Sequence, residues 1–391
     1  MIQRLSQLLK EKFNSFRLFW VCLFIFNIST VSAQKPEQTS TSDFDIVFCL
    51  DLSGSTNGLI DNVRENIWSV INQVSSFQPK QNLRIGVVGF SRPSFGKSSA
   101  YVKVLSRLTD DFDQMAADLW KLKPEVEKGD QFVSNALEKA GFEMNWSKSK
   151  DAVKIMFLIG NGNVNTGSSD YRSVVTSITN KGIHLVPVYC MRTKQTRETD
   201  GWQQIGRMTG YFYEPVWITK NEPLIKPVPA TEKLISLAKE LNKQVVPYTQ
   251  KGIEKFNNLT ICDHKALLLN PVAFEDRLYY RISDELLQNI TKWDLVDVDY
   301  KDASDLLKAD LSLVTDSLRR ANLDDLFYKL QYKRENRNRI ISEIKKLLPQ
   351  SRQEYINELV SRETFDPDQN IERVLLKNIS KIASEFSIQV K

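Results

Sequence analysis

The residues of this sequence best suited to chemistry are the oxygen-bearing side chains of Asp51-Leu-Ser-Gly-Ser55. A carboxylate and two hydroxyls at positions i, i+2 and i+4 can face one centre when the loop that carries them curls. Hard oxygen ligands of this kind suit Mg²⁺, with Mn²⁺ and Ca²⁺ as further candidates. Because Mg²⁺ usually keeps waters, such a loop leaves a coordination position for an oxygen of a partner. The alternative interpretation is that Ser53 or Ser55 only caps a following helix.

This loop lies between a predicted strand and a predicted helix. Residues 44–50 form a nearly continuous apolar run that ends at Asp51, and residues 57–76 carry apolar side chains at helical spacing. In an open parallel sheet, ligands bind beyond the carboxyl ends of the strands. The predicted position of the loop is therefore a usual place for a binding site.

Strand-like and helix-like runs alternate through the first half of the chain. The further strand runs lie at residues 83–90, 99–106, 153–159, 183–190 and 211–213, and the further helical patterns at 132–146, 171–178 and 202–208. This alternation predicts crossover connections, and runs that are apolar on both faces predict helices on both sides of the sheet. The expected fold class is α/β, a doubly wound, mostly parallel sheet followed by a mainly α-helical C-terminal region.

Beyond residue 215 the pattern becomes helical. Residues 219–231 contain three prolines and are predicted to be a linker. Long amphipathic helices are expected at residues 324–348 and 370–388. The first of these carries a basic band, Lys333–Arg339, and acidic residues nearby favour a solvated helix face over a nucleic-acid or lipid surface.

The order of these motifs resembles a von Willebrand factor type A (vWA) domain over about residues 44–214. Asp51, Ser53 and Ser55 match the first loop of that family's metal-ion-dependent adhesion site (MIDAS). The segment that begins at Asp130 falls where the second metal loop lies, and Asn161 falls at the third. The resemblance implies a vWA/Rossmann-like fold and a divalent cation, Mg²⁺ before Mn²⁺ or Ca²⁺, held by Asp51, Ser53, Ser55, Asp130 and Asn161.

Two departures from the family pattern concern these ligands. The second loop usually offers a Thr, whereas Asp130, Gln131 and Ser134 are the oxygen-bearing residues here. The third loop usually offers an Asp, whereas Asn161 stands here and removes one negative charge. Asp130 would restore that charge if it reached the ion. We expect weaker cation binding than at a site with the full pattern.

The chain is further similar to one group of exported bacterial vWA proteins that has no assigned role. The similarity rests on residues 130–133, on Leu241-Asn242, on Val246-Pro-Tyr248 and on Trp293–Asp297, and it extends to about residue 300. In that group the second-loop acid and the third-loop Asn look like regular features. A modified, metal-independent ligand face is therefore an open alternative.

The N-terminus has the order of an export signal. Basic residues precede the short apolar run 18–26, and Val31-Ser-Ala33 forms a small-x-small cleavage site. The alternative is an uncleaved anchor. The expected division of the chain is a signal peptide (1–33), a linker (34–43), the vWA domain (44–214), a second linker (215–231) and a mainly helical C-terminal region (232–391). The expected location is the periplasm, the cell envelope or the exterior, with no membrane span after cleavage.

Composition excludes several classes of function. Of the 391 residues, 53 are Lys or Arg and 48 are Asp or Glu, and a net charge of +5 is weak for a nucleic-acid binder of this size. Two histidines do not supply a histidine-rich metal centre. No nucleophile elbow, phosphate-binding loop or His-Glu-x-x-His motif occurs, so neither catalytic nor organic-cofactor residues are predicted. Cys49 and Cys190, at the ends of strand-like runs, are expected to be buried thiols.

Two functions from different classes fit these features. The first is an exported protein-binding module, adhesive in character, whose MIDAS-like site docks an acidic side chain of a partner protein. The second is an assembly or scaffold protein of an envelope complex, which acts through its C-terminal helices and carries a vestigial metal site. An enzyme is not expected.

Overall fold

The computed structural model describes residues 41–56, 58–122, 127, 129, 132–191, 199–217, 227–360 and 371–390. The predicted export signal lies outside these ranges. So do Asp130 and Gln131 of the predicted second loop and residues 218–226 of the predicted linker 215–231. Of Ser55 the structure describes the backbone alone.

The described strands are β1 (Ser42–Asp51), β2 (Phe77–Gln78), β3 (Gln81–Phe90), β4 (Lys103–Thr109), β5 (Val153–Gly160), β6 (His184–Met191), β7 (Glu214–Trp217) and β8 (Gln389–Val390). The described helices are α1 (Leu59–Ser75), α2 (Phe112–Trp120), α3 (Val133–Phe142), α4 (Tyr171–Thr179), α5 (Thr199–Thr209), α6 (Pro229–Lys243), α7 (Gln250–Leu269), α8 (Pro271–Arg281), α9 (Asp284–Ile290), α10 (Asp316–Arg319), α11 (Leu323–Val360) and α12 (Ile371–Glu385).

A six-stranded sheet with the order β4-β3-β1-β5-β6-β7 forms the centre of the molecule. Among the described strands of this sheet, only β4 runs antiparallel to its neighbour. A separate two-stranded ladder pairs β2 with β8, also antiparallel. In the central register Leu50 lies opposite Gly89 of β3 and Ile159 of β5. The carboxyl ends of β1, β3 and β5 therefore reach one edge of the sheet together, and Asp51 stands at that edge.

Helices cover the sheet on both faces, because successive strand residues point to opposite sides and both sides are apolar. On one face Phe48 and Phe157 stack with ring centroids 5.7 Å apart and pack with side chains of α1, α2 and α12. On the other face Cys49 and Leu158 pack with α3, α4 and α5. The expected fold class, a mostly parallel doubly wound sheet followed by a mainly helical region, is confirmed.

The turn between β1 and α1 is organised by a threonine and a glycine. Thr56 Oγ1 donates to the carbonyl of Asp51 at 2.6 Å and to that of Ser53 at 3.0 Å. The N-cap of α1 is Gly58, with φ of 103°, and among the described side chains none caps this helix. The alternative in which Ser53 caps the helix is therefore wrong, because the chain makes an additional 3₁₀ turn, Gly54–Thr56, before the helix begins; the side chain of Ser55 lies outside the described residues.

The last strand of the sheet differs from the sequence-based prediction. It was expected at residues 211–213, but β7 begins at Glu214, which pairs with Val188 of β6. Tyr211 instead turns its hydroxyl to Nδ1 of His184 at 2.5 Å, and Phe212 is 84% exposed. Three consecutive aromatic residues favour a strand locally, but the register with β6 places the pairing later.

The helical region forms its own apolar core before the chain returns to the sheet. Leu234 of α6, Leu278 of α8 and Ile344 of α11 belong to this core. The final helix, α12, does not: its buried Ile379 packs in the same core as Phe48 and Phe157 of the sheet. Leu259 of α7, Tyr280 of α8 and Ile290 of α9 also belong to the core of the sheet, so the helical region shares that core as well as forming its own.

A buried arginine joins the helical region to the α/β part. Arg277 of α8 is fully buried and contacts Asp113 of α2 at 2.5 Å and Asp263 of α7 at 2.8 Å. Its guanidinium also lies 4.2 Å from the ring centroid of Trp68 in α1. Buried charges persist only when they are paired, so this cluster fixes the relative placement of α1, α2, α7 and α8.

The basic band of α11 is only partly solvated. Arg337 is 3% exposed, pairs with Asp294 and Asp297, and donates to the carbonyl of Gln244 at 3.0 Å. The expectation of a solvated face is thus wrong for Arg337, because its acidic partners are supplied by a distant segment. Asp294 also accepts the backbone N–H of Val246 at 2.8 Å.

Two further findings concern the whole described chain. Cys49, Cys190 and Cys262 are buried free thiols, as expected for the first two. Of the helices in the described ranges, none combines the length and the apolar character that crossing a membrane requires.

Candidate metal centre

Asp51 is the centre of the candidate site. It is the last residue of β1 and is fully buried. Its Oδ1 accepts the backbone N–H of Ser53 at 3.0 Å, and its Oδ2 accepts the backbone N–H of Asn161 at 3.4 Å. Donors from the first and third predicted loops therefore meet on one carboxylate, as the order of the strands in the sheet requires.

The environment of Asp51 disfavours its charged form. Burial raises the pKa of Asp51 to about 6, while hydrogen bonds from Ser53, the nearby Ser91 hydroxyl and a hydrogen bond from the Asn161 backbone act in the opposite direction. At pH 7 the carboxylate is mostly ionised. A cation placed beside it would lower this pKa further, since an opposite charge favours the ionised form.

Gly160 permits the close approach of β5 to this carboxylate. A Cβ built on Gly160 would lie 2.4 Å from the Cβ of Asp51, a distance that real side chains do not adopt. Any larger residue at position 160 would displace Asp51 or separate the strand ends. The glycine that precedes Asn161 is therefore required by packing.

Asn161 stands where the family pattern has an aspartate. Its Nδ2 donates to the carbonyl of Cys190, at the end of β6, at 3.2 Å. Because Nδ2 bonds to β6, Oδ1 is the atom of the amide that can bind a cation. The residue thus offers a neutral oxygen at the edge of the sheet.

Ser91 belongs to the site although the ligand prediction did not include it. It directly follows β3 and is fully buried with φ of 68°. Its hydroxyl lies near the Asp51 carboxylate and favours the ionised form, but its Oγ makes no hydrogen bond within the described residues. A non-glycine residue in this conformation is uncommon. The available signal was the position of Ser91 after a strand that neighbours β1, because parallel strands end at one edge.

The second loop is described only in part. Asp130 and Gln131, predicted oxygen donors, lie outside the described residues, as does the side chain of Ser55. Gly129 packs against Ser91, whose carbonyl oxygen would be 2.4 Å from a Cβ at position 129. Ser134 is buried in α3 and packs against Gly167. A Cβ built on Gly167 would lie 2.0 Å from the Oγ of Ser134.

The described donors fit a hard divalent cation. One carboxylate, the hydroxyl of Ser53 and an amide oxygen are all oxygen ligands of the class that Mg²⁺ and Ca²⁺ prefer. A thiolate- or imidazole-rich site is not present, since the described part of the chain holds no group of three or more His, Cys, Asp or Glu side chains able to bind a metal. Ser53 also acts on Asp51 through its side chain, which brings the two oxygens together.

Comparisons with known proteins agree with this architecture. The family model described as von Willebrand factor type A domain matches residues 45–218, which confirms the resemblance noted in the sequence. No curated protein matches the chain at a significant level.

Several solved structures are similar over less than half of the chain. The pilus adhesin SpaC from Lactobacillus rhamnosus GG is 16% identical, with a TM-score of 0.36, over 46% of this chain and 28% of its own. An aerotolerance-related membrane protein from Bacteroides fragilis is 14% identical, with a TM-score of 0.31, over 45% of this chain and 91% of its own. Proximal thread matrix protein 1 from the mussel byssus, with a zinc-occupied MIDAS motif, is 16% identical, with a TM-score of 0.34, over 45% of this chain and 43% of its own. Similarity at this level says nothing about the ligands or partners of this chain.

Proposed function

Residues 45–218 are a von Willebrand factor type A domain, and from this premise we propose that the protein is an exported binding module without catalytic activity. Its site docks an acidic side chain of a partner protein through a divalent cation, Mg²⁺ first. The observation that carries the proposal is the meeting of Asp51 and Asn161 at the carboxyl edge of the sheet. Export rests on the predicted signal at residues 1–33.

In this proposal the chain's own residues hold the ion and leave it open to a partner. Asp51, Ser53 and Asn161 are the described ligands, and Ser55 and Asp130 are the remaining ligands predicted from the sequence. When bound, the cation supplies the positive charge that attracts a carboxylate. The residues around it orient it at the rim and exclude water from the buried side of Asp51.

The presence of Asn161 in place of an aspartate sets the net charge of the site. With Asp51 as the one described acid among these ligands, a divalent cation bound by the described ligands keeps a net positive charge, which coordination by Asp130 would cancel. That charge weakens retention of the ion but strengthens its attraction for an incoming carboxylate. The proposed partner is therefore an acidic surface that joins the site only while the cation is bound.

Ion binding alone can be tested without knowing the partner. Thermal unfolding of the protein is followed in EDTA and in increasing Mg²⁺, Mn²⁺ or Ca²⁺, because a ligand that binds only the folded state stabilises it by about 2.7 kcal/mol at one hundred times its Kd. The wild type should gain stability with the ion, whereas Asp51→Asn should not. Asp61→Asn, a substitution of the half-exposed partner of Arg64, is the matched control and should respond as the wild type does. Equal responses from Asp51→Asn and wild type would reject the site.

A second candidate function is assembly through the helical region, with a vestigial metal site. The observation that favours it is the exposure of Leu307, Tyr328 and Tyr332, which are 70%, 69% and 66% exposed. Deleting residues 301–391 is not a clean test, because α12 is part of the core of the sheet. Substituting both tyrosines with Ser is cleaner: the assembly role requires loss of complex formation with unchanged ion binding.

A further inference from the structure

Glu127 ties together two of the loops that surround Asp51. Its carbonyl accepts the backbone N–H of Gly54 at 2.9 Å, and it forms a parallel β-bridge with Ser53. Both partners belong to the loop that follows β1. The backbone of Glu127 is thereby fixed directly beside the residue that donates to Oδ1 of Asp51.

The carboxylate of Glu127 is anchored to a different loop, the one that follows β3. Oε1 accepts from Nε of Arg92 at 2.9 Å and from Oγ of Ser94 at 2.6 Å, and Oε2 accepts the backbone N–H of Ser94 at 2.7 Å. Arg92 is 6% exposed. Burial raises the pKa of Glu127, but the Ser94 and Arg92 donors outweigh it and hold the pKa below its ordinary value. The carboxylate is therefore ionised and well held at neutral pH.

The loop that follows β3 is also part of the environment of Asp51. Arg92 directly follows Ser91, a buried residue that lies beside Asp51 because Phe90, the last residue of β3, pairs with Asp51. Two residues after Glu127, Gly129 packs on the carbonyl of Ser91. Glu127 thus bridges the loop of Ser53 on one side of Asp51 and, through Arg92 and Ser94, the loop of Ser91 on the other.

We propose that Glu127 is a positioning residue for the cation site: it holds the loops of Ser53 and Ser91 at the spacing that cation binding requires. This inference rests on the proposed function, since it concerns the same site. A bridge of this kind orients ligands without contacting the ion, as hydrogen-bond partners of metal ligands do. Its removal should weaken ion binding more than it weakens the fold.

The test compares three substitutions in the full chain by Mg²⁺-dependent thermal shift. Glu127→Ala removes all the carboxylate contacts. Glu127→Gln keeps an acceptor for Ser94 but loses the charge that pairs with Arg92. Glu143→Ala is the matched control, because Glu143 pairs with Lys139 at 3.0 Å on a helix end and is 51% exposed.

We expect Glu127→Ala to need about 10- to 100-fold more Mg²⁺ for the same stabilisation, the range seen when partners of metal ligands are removed. Glu127→Gln should fall between it and the wild type, and Glu143→Ala should match the wild type. In EDTA, all variants should unfold within a few degrees of the wild type. Hydrogen exchange in EDTA should show faster exchange at the Gly54 amide of Glu127→Ala, with the amides of β1 unchanged.

The outcomes separate this inference from the function on which it rests. If the wild type responds to Mg²⁺ and Glu127→Ala and Glu127→Gln respond equally, the positioning role is wrong and the ion site stands. If the wild type itself gives no response to any of the three ions, the ion site is wrong and the positioning role falls with it. If Glu127→Ala does not fold, the ratio of Mg²⁺ requirements between Glu127→Gln and wild type decides, and a ratio of one overturns the inference.

Discussion

The final helix α12 should stabilise the sheet itself and not only the helical region. Ile379 of α12 is fully buried in the core that contains Phe48 and Phe157. Ile379→Ala removes three carbon groups, worth about 2.4 kcal/mol at ~0.8 kcal/mol each. The cavity that remains adds to this, so the expected loss of unfolding free energy is about 3 kcal/mol, within the range measured for such substitutions.

Hydrogen exchange and urea unfolding together measure this effect. A loss of about 3 kcal/mol corresponds to roughly 100-fold faster exchange of amides that open by global unfolding, which should include those of β1 and β5. Ile356→Ala in α11 is the control, because Ile356 is 40% exposed and its truncation should change stability by less than about 1 kcal/mol.

The reasoning fails if Ile379→Ala leaves the protection of β5 amides unchanged while α6 and α8 lose theirs. That pattern would assign α12 to an independent helical unit. A second, separate unfolding transition in the wild type would contradict the shared core in the same way.

Two further outcomes follow from buried charges. The folded pKa of Asp51, about 6, lies above the ordinary aspartate value of 3.8, so the folded state binds the proton more tightly. Ionisation therefore costs the metal-free protein about 3 kcal/mol of stability as pH rises from 4 to above 6. Stability in EDTA should fall over that window more in wild type than in Asp51→Asn, which keeps other buried carboxyls of raised pKa such as Asp276, and parallel pH profiles would contradict the burial argument. Arg277→Ala leaves Asp113 buried without its guanidinium and removes one of the two arginines paired with Asp263, so it should cost about 3–5 kcal/mol in urea unfolding. Arg339→Ala is the control: Arg339 is 66% exposed, and its pair with Glu343 spans 3.8 Å, so its removal should be nearly neutral. Equal losses in the two variants would refute the stabilising role of the buried Arg277 cluster.

Local patterns predicted most of the α/β half. Continuous apolar runs such as residues 153–159 identified central strands, because such runs need cover on both faces. The strand that ends at Asp51 and the position of Asn161 after another parallel strand were enough to expect both residues at one edge. The helices α2, α7 and α8 were not predicted, and the edge strand β4 lies at residues 103–109 where 99–106 was expected.

The contributions of Ser91 and Glu127 came only from the tertiary structure. Ser91 is one serine among many in the sequence, and it lies beside Asp51 because β3 lies next to β1 in the sheet. Glu127 is an ordinary surface-type residue whose three bonded neighbours, Gly54, Arg92 and Ser94, are more than thirty positions away. Local spacing contains no information about such pairs.

By itself, the sequence determined the central strands and many of the helices, and it placed an oxygen-rich loop at the end of a central strand. It did so because the periodicity of apolar side chains reports directly which faces must be buried. What covers each face was decided by the tertiary structure alone. The amphipathic pattern of α12 is compatible with any apolar surface, and that of α11 does not reveal that Arg337 finds its acids in a distant segment. Burial is non-directional, so a pattern states that a face is covered, and only the folded chain selects the partner.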